Sequence, residues 1–244
     1  ASGAVVADLQ YVAANSGEAA GDTYASVEDL QGTSYGDDLR GDAGDNRIWG
    51  GRGNDVLHGR GGSDLLLGGD GNDLLLGGSG ADALNGQAGT DRAAYWTASG
   101  AVVADLQYVA ANSGEAAGDT YASVEDLQGT SYGDDLRGDA GDNRIWGGRG
   151  NDTINGRSGD DVLFGMAGDD VFVFEDGFGE DRIGDFQDGI DLIDLAVNGQ
   201  VSNFSDLSVQ QNGADVILSF PDFGDTITLL GIQASSLDPG DFIF

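Results

Sequence analysis

The sequence has no cysteine and no lysine, and it contains one histidine and two prolines among its 244 residues. Without cysteine the chain has no disulfide and no thiolate that could bind a metal or attack a substrate. Without lysine it cannot contain a P-loop, and one histidine cannot form the H-E-x-x-H motif of a zinc protease. It also lacks any apolar run near the roughly 20 residues that a membrane-spanning helix requires. These four classes of protein are therefore excluded.

Positive charge is also scarce. The 43 acidic residues outnumber the 10 basic ones, all of them arginine, and the formal net charge is −33. Such a surface repels phosphate, so nucleic acid is not an expected partner. A compact chain of this charge also repels itself, which predicts that something cationic belongs to the folded state.

A long internal repeat shows how the sequence is organised. Residues 98–152 repeat residues 1–55, which indicates a recent duplication or an engineered chain. The identity is therefore a poor guide to which residues matter. The first copy lacks the run 93–97 that leads into the second, so we expect a longer parent protein with an upstream domain.

A short repeat has a period of nine residues, with glycine at its first position from residue 32 to 86 and again from 129 to 165. An apolar residue stands at position eight, as in Leu57 and Leu75. Alternation over positions seven to nine predicts a short strand with position eight inside. Position six is occupied by Asp37, Asn46, Asp55, Asp64, Asp73, Asp82, Asp91, Asp134, Asn143, Asp152, Asp161 and Asp170. Turn formation alone does not require aspartate at one fixed phase.

This pattern resembles the RTX (hemolysin-type) calcium-binding nonapeptide repeat. The resemblance implies an all-β fold of tandem parallel β-rolls, a calcium-bound β-solenoid, with a C-terminal β cap. Two nonapeptides form one turn, so loops eighteen residues apart stack on the same edge. Glycines at positions one, two and four let backbone carbonyls turn toward a common centre, and Ca²⁺ takes six to eight oxygens.

The resemblance also implies the ligands. One Ca²⁺ is expected between each two stacked loops. Its ligands would be both position-six side chains, the carbonyls at positions two and four of the earlier loop, and the carbonyls at positions one and three of the later loop. The eight predicted pairs are 37/55, 46/64, 55/73, 64/82, 73/91, 134/152, 143/161 and 152/170. The backbone donors include Gly50, Gly51, Arg52, Gly53, Gly59, Gly61, Gly68, Gly69, Asp70, Gly71, Gly77, Gly147, Gly148, Arg149, Gly150 and Gly165. The neutral Asn46 and Asn143 predict weaker sites. Eight ions would contribute +16 and reduce −33 to −17.

Three regions are expected. Residues 1–94 form a first roll with N-terminal calcium-poor coils, residues 95–174 a second roll, and residues 175–244 the cap. The cap resembles the C-terminal region of serralysin-type proteases and of the R-modules of alginate epimerases. Asn212-Gly213 predicts a two-residue hairpin turn there. The ending Asp241-Phe-Ile-Phe244 resembles a type I secretion signal, which implies an extracellular protein.

Other side chains suggest chemistry less strongly. Gly32-Thr-Ser-Tyr-Gly36 and its repeat match the G-x-S-x-G elbow, but the only histidine, His58, lies on an outward strand position, so no enzyme activity is predicted for this module. The pairs Arg47/Trp49 and Arg144/Trp146 are predicted to face outward. They either bind an acidic sugar or offset nearby carboxylates and pack against another segment. Leu65, Leu67, Leu74 and Leu76 are also predicted to face outward.

The predicted function is a non-catalytic calcium-binding module of a secreted bacterial protein. It folds on Ca²⁺ after type I export, with an acidic polysaccharide such as alginate as an optional partner. The alternative, a structural or adhesive segment of a cell-surface or S-layer-like protein, stays open. Sugar binding that depends on Arg144 and Trp146 would favour the first, and self-association through the leucine faces the second.

Overall fold

The computed structural model describes residues 2–220 and 224–244. Within these ranges the regular structure consists of β-strands and short 3-10 helices, and no helix is long and apolar enough to cross a membrane. The chain divides into two compact units, Ala1–Ser99 with Tyr108–Asp126 and Gly100–Gln107 with Leu127–Phe244. The all-β class predicted from the sequence is confirmed.

The 23 strands of the described residues, numbered in chain order, are short. They are β1 Val6–Asp8, β2 Asp29–Gln31, β3 Asp38–Arg40, β4 Arg47–Arg52, β5 Val56–Gly61, β6 Leu65–Asp70, β7 Leu74–Ser79, β8 Ala83–Ala88, β9 Arg92–Ala94, β10 Val103–Asp105, β11 Thr120–Ala122, β12 Asp126–Gln128, β13 Asp135–Arg137, β14 Arg144–Arg149, β15 Thr153–Asn155, β16 Val162–Ala167, β17 Val171–Val173, β18 Glu180–Ile183, β19 Leu192–Asp194, β20 Ser208–Asn212, β21 Asp215–Ser219, β22 Thr226–Leu229 and β23 Phe242–Ile243. The 3-10 helices are Val12–Ala14, Gly17–Ala19, Val109–Ala111, Gly114–Ala116, Phe204–Asp206 and Pro239–Asp241.

The first unit is a parallel β-roll in which the chain alternates between two sheets. One sheet has the order β1-β3-β5-β7-β9 and the other β2-β4-β6-β8-β11. Strands of the nonapeptides pair at an offset of eighteen residues, as in Leu39 with Leu57 and Leu57 with Leu75. These three side chains are fully buried, so position eight forms the core.

The second unit repeats this arrangement and then departs from it. One sheet has the order β10-β13-β15-β17-β19-β23, and the other runs β14-β16-β18-β22-β21-β20. Strands β22, β21 and β20 are antiparallel. Asn212 pairs with Asp215, so the hairpin loop is Gly213-Ala214, one residue later than predicted, because Gly213 adopts φ 65 at the first loop position.

One of the four leucines predicted to face outward is covered rather than exposed. Leu76 is only 4% exposed, whereas Leu65, Leu67 and Leu74 are partly exposed. Strand β7, which carries Leu76, contacts the 3-10 helix Gly114–Ala116 of the same unit. A segment almost forty residues later in the chain therefore covers part of this face.

Candidate metal sites

The position-six residues are joined by a ladder of hydrogen bonds along the edges of the rolls. In eight of the twelve, the main-chain N–H donates to Oδ1 of the aspartate eighteen residues later, over distances of 2.7 to 2.9 Å. The bonded pairs are 37/55, 46/64, 55/73, 64/82, 73/91, 134/152, 143/161 and 152/170. The structure therefore brings together the same eight pairs that the sequence predicts as sites.

The second oxygen of most of these carboxylates has no donor. Within the described part of the chain, Oδ2 is buried and without a hydrogen-bonding partner in eight array residues: Asp55, Asp64, Asp73, Asp82, Asp91, Asp152, Asp161 and Asp170. A buried carboxylate oxygen without a donor destabilises the fold unless it is protonated or contacts a cation. These eight oxygens are the strongest indication of bound cations.

The remaining four position-six side chains are satisfied inside their own loops. The N–H of Thr130 donates to Oδ2 of Asp134 at 2.6 Å, and Thr33 donates to Asp37 in the same way. Asn46 and Asn143 accept the N–H groups of Asp42 and Asp139 through their amide oxygens, at 2.8 and 2.9 Å. These four lie in the first two loops of each array, which we call closed loops.

We call the eight loops whose position-six Oδ2 has no donor open loops. The backbone at position two distinguishes them from the closed loops. In the eight open loops this residue has positive φ: Gly51, Arg60, Gly69, Gly78, Gln87, Gly148, Arg157 and Met166. The position-two residues of the closed loops, Thr33, Asp42, Thr130 and Asp139, are outside the positive-φ set, and their N–H groups reach the side chain. Because four of the eight open loops have no glycine there, residue type alone did not predict this division.

Backbone carbonyl oxygens also lie between the stacked loops, beside the donor-free Oδ2 atoms. A Cβ added to Gly68 would collide with Oδ2 of Asp73 and lie 2.8 Å from the carbonyl oxygen of Gly86. Added to Gly50, it would collide with Oδ2 of Asp55 and lie 2.5 Å from the carbonyl oxygen of Gly68. The carbonyls of Gly51 and Gly53 face the next loop, where a Cβ on Gly69 or Gly71 would strike them. The donor set is therefore all oxygen, which suits a hard cation such as Ca²⁺.

Two further observations limit how an ion is held. Among residues 2–220 and 224–244, no three His, Cys, Asp or Glu side chains converge as a metal cluster, so an ion here needs backbone oxygens. The predicted donor Asp70 already accepts a 2.7 Å hydrogen bond from the N–H of Gly53 through its carbonyl oxygen. Only its second lone pair remains for a cation.

Burial and mutual repulsion oppose ionisation of the open-loop carboxylates. Burial, reinforced by neighbouring carboxylates, raises the pKa of Asp55, Asp64, Asp152 and Asp161 to about 7 and that of Asp91 and Asp170 to about 6. Burial also raises the pKa of Asp73 and Asp82. A cation between two loops would reverse both effects, since it attracts the ionised form.

An arginine supplies positive charge near the first loops of each array. In the first unit Arg60 donates to both oxygens of Asp8, at 2.9 and 2.6 Å, and to the carbonyl of Gly41. The Asp8 side chain is 1% exposed, and the guanidinium lies 5.1 Å from the ring centre of Tyr11. In the second unit Arg157 binds Asp105 and Gly138 in the same way. Sequence reasoning missed Asp8 and Asp105, which are outside the nonapeptide phase.

The last loop but one of the first array, which carries Asp82, meets a further carboxylate. Asp119 accepts the N–H of Asp82 through Oδ1 at 2.9 Å and the hydroxyl of Tyr95 through Oδ2 at 2.8 Å. The hydroxyl of Tyr121 also bonds to that of Tyr95. Burial raises the pKa of Asp119 to about 7. In Asp119 the hydroxyl of Tyr95 therefore donates to Oδ2, the oxygen that has no donor in the open-loop aspartates.

The predicted sugar-binding side chains lie on strands β4 and β14. Arg47 and Arg144 are exposed, whereas Trp49 and Trp146 are partly buried. Trp146 stacks on Phe164, with ring centres 5.9 Å apart and an interplanar angle of 3°. Arg47 lines an open cleft of about 560 Å³, whose other lining residues include Glu28, Asp29 and Asp45.

Comparison with known proteins supports the reading of the arrays. The family model of the RTX calcium-binding nonapeptide repeat matches residues 31–66, 58–93, 128–163 and 149–179. No curated protein matches the chain significantly. One similar solved structure is the extracellular lipase LipA from Serratia marcescens, with 22% identity over 85% of this chain and a TM-score of 0.33. Another is the AlgE6R3 subunit of the Azotobacter vinelandii mannuronan C5-epimerase, with 27% identity over 47% of this chain and a TM-score of 0.23.

The chain spans 40% of the length of the lipase and 79% of that of the epimerase subunit. The sequence-based recognition is confirmed by the family match, which covers both nonapeptide arrays. The two arrays of this chain belong to the RTX calcium-binding nonapeptide repeat family.

Proposed function

We propose that this chain is a folding module in which Ca²⁺ ions between stacked loops are part of the native structure. The observation that carries the proposal is the set of eight buried Oδ2 atoms without a donor in the open loops. Each lies beside a position-one glycine, and several also lie near a carbonyl oxygen of the next loop. We propose no catalytic role for the module.

The eight proposed sites fall into two classes. Four pairs place two donor-free carboxylate oxygens at the site: 55/73, 64/82, 73/91 and 152/170. The other four pairs, 37/55, 46/64, 134/152 and 143/161, contain one closed-loop residue and one donor-free oxygen. We expect the first class to bind more tightly, since each additional ionised oxygen strengthens attraction to a divalent ion.

Calcium binding would then drive folding. A chain with net charge −33 cannot bury rows of carboxylates without counter-ions, because the desolvation penalty is several kcal/mol per ion. A site that exists only in the folded state converts its binding free energy into stability. The roll would stay open where calcium is scarce and fold where it is plentiful. This behaviour suits a protein that is exported unfolded to a calcium-rich exterior, as in type I secretion.

Equilibrium dialysis of the full chain against radioactive calcium tests this proposal. We expect about eight bound ions at saturation, with the two classes of site giving at least two binding phases. A control with equal Mg²⁺ should show much weaker binding, because Mg²⁺ demands a smaller octahedral shell and dehydrates reluctantly. Fewer than four calcium ions at saturation would contradict the assignment of the four stronger pairs.

A second candidate function is binding of an acidic polysaccharide such as alginate to strand β14. The observation that favours it is the exposed Arg144 on strand β14, which also carries Trp146, and Trp146 stacks on Phe164 of the neighbouring strand β16. A guanidinium can pair with a uronate carboxylate while an aromatic ring packs against the sugar. Affinity electrophoresis through alginate at low free calcium tests it. Retardation should be lost in Arg144→Ala/Trp146→Ala, and no retardation of the unmodified chain would exclude the sugar.

A further inference from the structure

A loop outside the nonapeptide phase has the backbone of an open calcium loop. Residues 176–181 read Asp-Gly-Phe-Gly-Glu-Asp, and Asp181 follows Asp161 by twenty residues rather than eighteen. Gly177 and Gly179 have φ of 76° and 104°. A Cβ on Gly179 would collide with the carbonyl oxygen of Gly159. Positive φ also occurs at position two of every open loop and at position four of all of them except that of Gly168. The close approach of Gly179 repeats the stacking at position four, whereas a Cβ on Gly177 would meet nothing within 4 Å.

The hydrogen bonds between the two loops also follow the array. The N–H of Asp161 donates to Oδ1 of Asp181 at 2.8 Å. The N–H of Glu180 donates to Oδ1 of Asp160 at 3.0 Å, as that of Asp160 does to Asp142 at 2.9 Å. The two-residue insertion therefore leaves the stacking of the loops intact.

Both carboxylates keep one oxygen without a donor. Asp161 is fully buried and Asp181 is 1% exposed. Within the described residues, Oδ2 of each has no hydrogen-bonding partner.

The other stack of loops in the second roll, in which Asp191 follows Asp152 and Asp170, ends differently. The N–H of Asp170 donates to Oδ1 of Asp191 at 3.1 Å, but Oδ2 of Asp191 accepts the N–H of Gln187 at 2.8 Å. Asp225, which lies beyond Asp181, accepts N–H groups from Gly177 and Gly179. Asp181 thus repeats the arrangement of the open-loop aspartates, with Oδ1 bonded to the preceding loop and Oδ2 without a donor.

We propose that Asp161 and Asp181 hold a further Ca²⁺ ion outside the nonapeptide arrays, which fastens the second roll to the C-terminal sheet. Strand β18 begins beside Asp181 and pairs with both β16 and β22, and β22 continues into the antiparallel hairpin. The ion makes ordering of this sheet dependent on calcium. The inference rests on the proposed calcium function of the arrays.

The test compares Asp181→Asn with Asp191→Asn in the full chain. Asp181→Asn should bind one ion fewer than the unmodified protein in equilibrium dialysis. Hydrogen exchange of the amides in Glu180–Ile183 and Thr226–Leu229 should need about tenfold more calcium for protection. Amides of β4 to β8, in the first unit, should keep their calcium midpoint. Asp191→Asn should leave the calcium midpoints of these two strands unchanged, because Oδ2 of Asp191 already accepts the N–H of Gln187.

The possible failures are distinguishable. If the unmodified chain binds no calcium, the proposed function itself is wrong. If it binds calcium but Asp181→Asn binds the same number of ions with the same midpoints, only the further site is refuted. If Asp181→Asn loses protection at every calcium concentration, Asp181 has a purely structural role and the proposal is also overturned. Asp181→Ser, a smaller neutral variant, repeats the test should the asparagine perturb packing.

Discussion

The main-chain N–H of Asp55 donates a 2.8 Å hydrogen bond to Oδ1 of Asp73, while Oδ2 of Asp73 is buried without a donor. One carboxylate thus performs two tasks. Its first oxygen fixes the register between loops eighteen residues apart, and its second is available to a cation. The repeat therefore couples strand stacking to ion binding through a single side chain.

Asp73→Asn should weaken calcium binding far more than Asp37→Asn. Asp73 belongs to two proposed sites and offers a donor-free oxygen, whereas Oδ2 of Asp37 already accepts the N–H of Thr33. We expect the calcium midpoint of folding to rise about tenfold for Asp73→Asn, which corresponds to about 1.4 kcal/mol, and less than twofold for Asp37→Asn. Calcium titrations followed by circular dichroism measure both. Equal effects would show that closed and open loops do not differ.

Gly71→Ala should destabilise the calcium-loaded roll. Gly71 has φ 142°, and a Cβ there would collide with the carbonyl of Gly53. Gly44 stands at the same repeat position in a closed loop, where the nearest atom would be 3.4 Å away, so Gly44→Ala is a matched control. We expect a loss of about 2 kcal/mol or more for Gly71→Ala and less than about 0.5 kcal/mol for Gly44→Ala. Chemical denaturation at saturating calcium is the measurement, and similar losses would contradict the stacking described.

Arg60→Met should destabilise the first unit even when calcium is saturating. Burial alone would raise the pKa of Asp8, but hydrogen bonds from Arg60 and from the main chain hold it below its usual value. Without the guanidinium a buried carboxylate is left uncompensated, which costs about 3–5 kcal/mol. Arg52→Met is the control, because its ion pair with Asp70 is exposed and contributes roughly 0–1 kcal/mol. A loss for Arg60→Met no larger than that for Arg52→Met would refute the structural role of this arginine.

Without calcium, the folded state should be more stable in mild acid than at neutral pH. The pKa of Asp55, Asp64, Asp152 and Asp161 is raised to about 7 in the fold, whereas an unfolded aspartate titrates near 3.9. Between these values the folded state binds more protons, so the free energy of unfolding falls as pH rises toward 7. Calcium binding should release protons in the same window and weaken as the pH falls. The folded fraction in calcium-free buffer at pH 5 and pH 7.5, measured by far-ultraviolet circular dichroism, checks the sign. Greater stability at pH 7.5 would contradict it.

The sequence predicts the period and the buried position eight, because both follow from residues at fixed spacing, and its resemblance to the RTX repeat implies the eight position-six pairs. It does not predict which loops are closed, since Arg60 and Gln87 adopt positive φ without being glycine. The repeat pattern does not identify Asp181 as a ligand, because a two-residue insertion shifts it out of the nine-residue phase. Strand β7, which carries the buried Leu76, contacts a 3-10 helix that the repeat pattern does not contain. Local spacing thus predicts the stack, whereas insertions and distant segments require the three-dimensional structure.

The most direct test of the central claim is a calcium titration of the calcium-free chain at neutral pH, followed by far-ultraviolet circular dichroism. We predict an unfolded spectrum without calcium and a cooperative change to a β-sheet spectrum as calcium reaches the millimolar range, reversed by a chelator. A β-sheet spectrum that is already complete without calcium and unchanged by its addition would contradict the account.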